Sequence, residues 1–279
     1  MSGHFSAFSL VDRITDLQSG RRTRGRFQVP PNISRFPCTL AAEAIGQLAA
    51  WNAMAHLGFR VRPVAGLAAE VRFGPQVQPG QSLELETVLE SCEMDAVSYS
   101  GWAEVDGVRV IELDHSVGPM LPLEDFDSPQ AMRERFELLC GPGAPSGRFP
   151  GVPEPDMEIV EQVPEERVRA NLLVPKEAEF FSDHFPRKPV FPGTLLLDAQ
   201  LCLALGFAAG WQRWPPGAKL AATRVPDTKM RSFIPPGETL ELRIDFAAAD
   251  EPDKAKATTA VRLNGKTVAS GKLEIAVRS

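Results

Sequence analysis

The stretch FFSDHFPRKPVFPGTLLLDAQ, Phe180 to Gln200, sets a histidine, His184, ahead of a proline-rich bend and an apolar run that encloses one carboxylate, Asp198. Ionised groups are seldom placed in an apolar helix without a partner or a task. Part of this stretch occurs twice. FPGTLLLDA at Phe191 to Ala199 lies over FPCTLAAEA at Phe36 to Ala44, PPGETLELR at Pro235 to Arg243 over QPGQSLELE at Gln78 to Glu86, and LNGKTV at Leu263 to Val268 over VDGVRV at Val105 to Val110. The matches fall in one order at an offset of about 157 residues, which implies two copies of one architecture. Each copy reads as an apolar helix of about five turns followed by alternating strands, with Asp106-Gly107 and Asn264-Gly265 as type I′ hairpin turns between the last two.

The copies differ most around the histidine. Val29 to Phe36 is seven positions and the equivalent Val174 to Phe191 is seventeen, so the first copy lacks about ten residues, those that carry His184. On the helices, Glu43 is followed one turn later by Gln47, whereas Asp198 is followed by Cys202. Between the copies, SPQAMRERFELLC predicts a short helix capped by Ser128 with Pro129 in its first turn, and GPGAPSGRFPGVPEP after it predicts a linker. The expected organisation is 1–123, a shortened first unit; 124–155, helix and linker; and 156–279, a second unit with the histidine stretch.

The 279 residues are 43% hydrophobic and 24% charged, as in a soluble globular protein. A net charge of −6, with 30 Lys and Arg dispersed along the chain, argues against a nucleic-acid surface or a polybasic membrane patch. The amino terminus lacks a signal-peptide pattern and no 18-residue apolar run could span a bilayer, so a cytoplasmic location is expected. Cys38, Cys92, Cys140 and Cys202 have no paired spacing and read as reduced, buried thiols rather than a zinc site or disulfide framework. His4, His56 and His115 have no partner at suggestive spacing and read as non-catalytic.

At His184, Phe185, Pro186, Pro189, Val190, Pro192, Gly193 and Asp198 the sequence resembles the β-hydroxyacyl-acyl carrier protein dehydratases, position for position, and EAIGQ at Glu43 to Gln47 resembles the same family's central helix more weakly. The resemblance implies an α+β hotdog fold, a long helix wrapped by an antiparallel sheet. Two units in one chain imply a double hotdog packed as a pseudo-dimer. In that family each site takes its histidine from one subunit and its acid from the other, which implies that His184 works with Glu43 and leaves Asp198, the alternative acid, facing a gap.

The implied reaction removes a proton beside a thioester carbonyl and protonates a departing hydroxyl. It asks for a base of near-neutral pKa and a carboxyl that can donate. His184 suits the first role and Glu43 the second, with desolvation in an apolar helix raising its pKa and Gln47 fixing its geometry. The Gly193 amide, at the start of its helix, can point at the thioester oxygen; such a donor is worth about 2.7 to 4 kcal/mol of barrier. Cys38 stands at its place in the first copy. Phe180, Phe181, Phe185 and Phe191 are candidates for an acyl tunnel.

No cofactor is implied beyond the phosphopantetheine arm that carries the acyl group, on acyl carrier protein or coenzyme A. An acidic carrier would favour a basic rim, for which Arg187, Lys188, Lys229 and Arg231 are candidates. Fatty acid and polyketide pathways both present such substrates, and further homo-oligomerisation is compatible with the reading. Two alternatives stand beside the dehydratase: a hotdog thioesterase, in which a carboxylate activates water and the histidine is not required, and a non-catalytic partner of an acyl-chain synthase.

Overall fold

A computed structural model describes residues 4–247 and 251–278. The first part of the chain runs β1 (Arg13–Gln18), β2 (Arg22–Gln28), α1 (Cys38–His56), β3 (Val61–Pro63), β4 (Leu67–Phe73), β5 (Ser82–Cys92), β6 (Ala96–Val105) and β7 (Val108–Pro122). After α2 (Pro129–Cys140), the second part repeats the order with β8 (Met157–Val163), β9 (Arg167–Leu173), α3 (Gly193–Ala208), β10 (Lys219–Met230), β11 (Thr239–Phe246), β12 (Lys254–Leu263) and β13 (Lys266–Arg278).

Among the described residues the strands form one antiparallel sheet in the order β1-β2-β5-β6-β7-β4-β10-β13-β12-β11-β9-β8, with β3 beside β7. The order reads the same from both ends if each strand is exchanged for its repeat. The two sheets expected from the sequence are therefore one, joined where β4 pairs with β10 from Arg224↔Arg72 to Lys229↔Leu67. This is the double hotdog, and it sets α1 and α3 against each other.

Both central helices are apolar around most of their circumference because sheet and partner helix cover them. Buried Asn52 on α1 is fully used: Oδ1 accepts from Gly20 N at 2.8 Å, and Nδ2 donates to Thr23 Oγ1 at 2.6 Å and Gln18 O at 3.2 Å, clamping the first hairpin. Asp106, Gly107, Asn264 and Gly265 all have φ between 50° and 78°, as type I′ turns need. Ser128 Oγ accepts from Ala131 N at 3.3 Å and caps α2. The Gly/Pro-rich segment after α2 has no regular structure, but it is no loose tether. Phe149 and Val152 are buried, and the Phe149 ring packs edge-on against Phe27 and Phe36. No described helix is long and apolar enough to cross a membrane.

Helix α1 lies on β6 at Gly101, where a Cβ would fall 2.6 Å from Ile45 Cγ2 and 2.7 Å from Glu86 O. Backbone on one side and a fully buried side chain on the other leave nothing free to move. Gly101→Ala is expected to lower stability by about 1–3 kcal/mol in urea unfolding, the usual result of overpacking a filled core; unchanged stability would contradict this contact.

Candidate active site

A cavity of about 230 Å³ opens between the halves, lined by Glu43 and Gln47 of α1, Arg62 of β3, His184 and Phe185, and Gly193 and Thr194 at the start of α3. Residues from both copies thus form one site, with Glu43 brought to it by the first helix and His184 by the loop that the first copy lacks.

Glu43 is fixed from two sides. Thr194 Oγ1 donates to Oε2 at 2.7 Å across the helix pair, and Gln47 Nε2 donates to Oε1 at 3.1 Å. Gln47 also donates to Phe8 O and accepts from Leu10 N, each at 2.8 Å, so one amide ties the amino-terminal segment to the carboxylate. That segment reaches the histidine too. Phe8 N donates to Asp183 Oδ2 at 2.8 Å, and the Phe8 ring meets the His184 ring edge-on at 5.5 Å.

His184 lies 3.2 Å from Val190 O through Nδ1. Nδ1–H donating to that carbonyl leaves Nε2 as the lone pair, the state a base requires. Burial pushes the imidazole pKa below its ordinary value; the Glu43 charge opposes this, and the Arg62 charge adds to it. Arg62 lies 4.0 Å above the Phe185 ring, which itself stacks on His184 at 4.3 Å. Burial lowers the guanidinium pKa to about 10 against the fields of Asp127 and Glu43, and Nε is enclosed with no hydrogen-bond partner among the described residues.

Gly193 begins α3 and lines the cavity. A Cβ there would come no closer than 3.5 Å to Met230, an ordinary contact, and the backbone needs no positive φ. The protein itself does not require glycine here, so any demand for it comes from what fills the cavity.

Three of the four tunnel candidates do not line this cavity. Phe180 and Phe181 lie in a 3₁₀ turn, Glu179–Ser182, which drives both rings into the core, and Phe191 packs against Phe180 at 6.1 Å. Only Phe185 faces the cavity, whose apolar wall comes instead from Ala50, Trp51, Met54, Val71, Leu113 and Leu197. Arg187, Lys188, Lys229 and Arg231 are exposed. Lys229 and Arg231 border a shallow depression that shares Gly66, Leu67, Val117 and Met230 with the cavity. Lys188 lies over the Phe233 ring at 4.8 Å, and Arg187 donates to Glu124 O at 2.7 Å.

Asp198 is placed elsewhere. It forms an ion pair with Arg35 of the first copy and receives a contact from Cys202 Sγ at 3.8 Å. The segment shortened by about ten residues thus brings an arginine, rather than a histidine, to the second carboxylate. Burial raises the Asp198 pKa, only partly countered by Arg35, and raises the thiols of Cys38 and Cys202 to about 12 and about 11.

His4 has partners that sequence spacing could not reveal, Asp127 and Asp183, both at 3.4 Å. Burial opposes its charge, but hydrogen bonds and the fields of both carboxylates raise its pKa to about 9. His115 pairs with Glu90 at 2.7 Å, and His56 lies 3.2 Å from Ser19 Oγ. Arg35, Arg62 and Asp183 likewise owe their positions to contacts between distant segments.

With Arg35 one-fifth exposed and Asp198 one-tenth, removing one partner strands a largely desolvated charge. Arg35→Met is expected to cost about 2–3 kcal/mol, below the value for fully buried pairs because of that exposure. Asp198→Asn in the same chain should recover part of the loss. A double-mutant cycle of melting curves with no coupling would show that the pair contributes nothing.

Residues 152–272 match the profile of the FabA-like domain. The 3-hydroxyacyl-[acyl-carrier-protein] dehydratase FabZ of Burkholderia mallei is 28% identical over 90 residues, 32% of this chain and 58% of that protein, so the chain spans little more than half the length of the curated relatives it matches. In solved structures, an oleoyl thioesterase from Lactobacillus plantarum superposes with a TM-score of 0.61 at 10% identity, covering 93% of this chain and 98% of that one. An acyl-ACP thioesterase from Bacteroides thetaiotaomicron does so with a TM-score of 0.54 at 12% identity, covering 91% and 97%. At these identities the likeness is one of fold: the chain is a double hotdog, and its second half is similar to the FabA-like domain.

Proposed function

We propose that the chain is an acyl-thioester enzyme that interconverts β-hydroxyacyl and trans-2-enoyl thioesters by loss or addition of water, at one site per chain. The observation that carries this reading is a histidine with its Nδ1 engaged and Nε2 available, sharing a cavity with a carboxylate from the other half. Nε2 of His184 takes the proton next to the thioester carbonyl. Glu43, held by Thr194 and Gln47, meets the β-hydroxyl and donates to it as it leaves. The thioester oxygen gains charge in this step and is met by the Gly193 amide, one of the helix-start N–H groups with no partner inside the helix. The acyl group rides on phosphopantetheine, and exposed Lys229 and Arg231 beside the cavity suit an acidic carrier protein.

A second reading has an observation in its favour: two of the structures that cover nearly the whole chain are described as thioesterases. In it, Glu43 activates a water that attacks the thioester carbonyl, and His184 plays no obligatory part. Product analysis separates the two. A 3-hydroxyacyl thioester incubated with the protein should lose one water with the thioester intact, followed by mass spectrometry. Release of free thiol without enoyl product would establish the second reading instead.

For the dehydratase, His184→Ala and Glu43→Gln should each lower kcat/KM by about two to four orders of magnitude, while Asp198→Asn stays active when equal amounts of folded protein are compared. The reverse ranking of the two acids would place base and acid in the same copy. A base works only when neutral. Because burial depresses the His184 pKa, the acid limb of kcat/KM should fall at a pH below the ordinary imidazole value of 6.5. An inflection above that value would exclude His184 as the group that titrates.

A further inference from the structure

We propose that the acyl chain this cavity receives carries an oxygen, as a hydroxyl or carbonyl, a few bonds beyond the carbons that react. The inference rests on the acyl-thioester reading above and names the class of its acyl group. Its basis is a row of side chains across four strands. Thr228 of β10 faces Ala68 of β4, Ala68 faces Ser116 of β7, and Ser116 faces Tyr99 of β6. All four line the cavity, in a wall otherwise built of residues such as Val71 and Leu113. Ser116 is 3% exposed, and its Oγ and Thr228 Oγ1 are both enclosed without a hydrogen bond among the described residues. Ser116 lies close enough to the Tyr99 hydroxyl to oppose the rise that burial gives the tyrosine pKa, so the two hydroxyls form one polar group on this wall.

The backbone is distorted to bring these hydroxyls in. On β7, Leu113 points inward and Asp114 outward, so regular alternation would turn His115 in and Ser116 out. Instead His115 adopts φ 44° and is exposed, the pairing with β6 slips by one residue, and Ser116 is buried. On β10, Asp227 adopts φ 55° and faces outward to Lys272, the pairing with β13 slips likewise, and Thr228 turns to the cavity. Two bulges with left-handed residues that are not glycine, each immediately before an inward hydroxyl, mark this as a built feature. Bulges beside active sites commonly re-aim side chains in this way.

Position follows from Gly46, which is one residue short of Gln47 and three beyond Glu43. A Cβ on Gly46 would fall 3.2 Å from the Tyr99 hydroxyl, so that hydroxyl approaches α1 about one turn from the carboxylate. A plain alkyl chain against this wall leaves these enclosed hydroxyls as they are, whereas an oxygen on the chain offers them a hydrogen-bond partner. Sites that hydrogen-bond a substrate hydroxyl discriminate strongly against analogues that lack it.

The test uses the full chain and two pantetheine amides, unreactive because nitrogen replaces the thioester sulfur. Both carry a 3-hydroxyacyl chain of the same length, one of them with a further 5-hydroxyl. Titration calorimetry should show the 5-hydroxylated analogue binding about tenfold tighter or more. Ser116→Ala with Thr228→Val, at matched melting temperature, should weaken that analogue and tighten the plain one; Tyr99→Phe is a second variant expected to act in the same direction. Equal affinities, tighter binding of the plain analogue, no binding of either, or a preference that survives the variants would overturn the assignment. Should the corresponding thioesters be neither dehydrated nor hydrolysed while the amide preference holds, the reaction reading falls and the class of acyl chain stands.

Discussion

The pairing of β4 with β10 is the constraint on which the rest depends. Each half alone would present an open strand edge and an apolar helix covered on one side only, both unstable in water. Joining the edges makes one sheet and removes both liabilities, since the same closure sets α1 against α3. Once the helices are opposed, Thr194 reaches Glu43, and the carboxylate of one half shares a cavity with the imidazole of the other. The candidate site is a consequence of how the sheet closes.

Such a closure would give two equivalent positions if the halves were identical, and the residues at the two positions differ. At the second position the shortened segment delivers Arg35 to Asp198, and the two form an ion pair. A buried carboxylate with neither a cation nor a reacting group would be a standing cost. Arg35 offsets part of that cost and, being always charged, cannot itself take a proton as the imidazole at the first position can. The same chemistry explains Gln47, whose amide spends its donors on Glu43 and Phe8 and its oxygen on Leu10. It orders the carboxylate without adding a charge that would compete with His184.

Much of this was legible in the sequence because it is written in local patterns. The repeated FPxTL run, the paired type I′ turns and the Ser128 cap each depend on a few adjacent residues, and the structure contains each of them. What was not legible depends on contacts between distant segments. His4 meets Asp127 and Asp183, and Arg62 comes to lie over Phe185 only through β3, a strand without a counterpart among the described residues of the second copy. The aromatic residues near His184 misled for a related reason. Composition shows that Phe180, Phe181 and Phe191 are apolar, but the direction of a 3₁₀ turn decides whether such rings fill a core or line a cavity. Arg35 was hidden too, since nothing in its neighbours distinguishes it from an exposed arginine.

The bulges on β7 and β10 were invisible by the same logic, since strand alternation is the rule by which the sequence is read and they are places where it fails. Their energetics argue that the failure is functional. A left-handed residue with a Cβ costs on the order of 1 kcal/mol relative to extended backbone. The side-chain contacts that accompany these two, His115 with Glu90 and the ion pair of Asp227 with Lys272, are too exposed to offset much of it. The His115 amide finds Ser100 Oγ at 3.1 Å, which satisfies a donor but does not favour the bulge over a regular ladder. The distortion is held by the regular pairing with β4, and locally it encloses the Ser116 and Thr228 hydroxyls in the wall of the cavity, where Thr228 Oγ1 has no hydrogen bond among the described residues. A sheet selected for stability alone would have kept its alternation and put methyl groups there. Strain and enclosed hydroxyls at the same two positions, on the two strands that flank β4 along the cavity, therefore point to an acyl chain that supplies hydrogen bonds there.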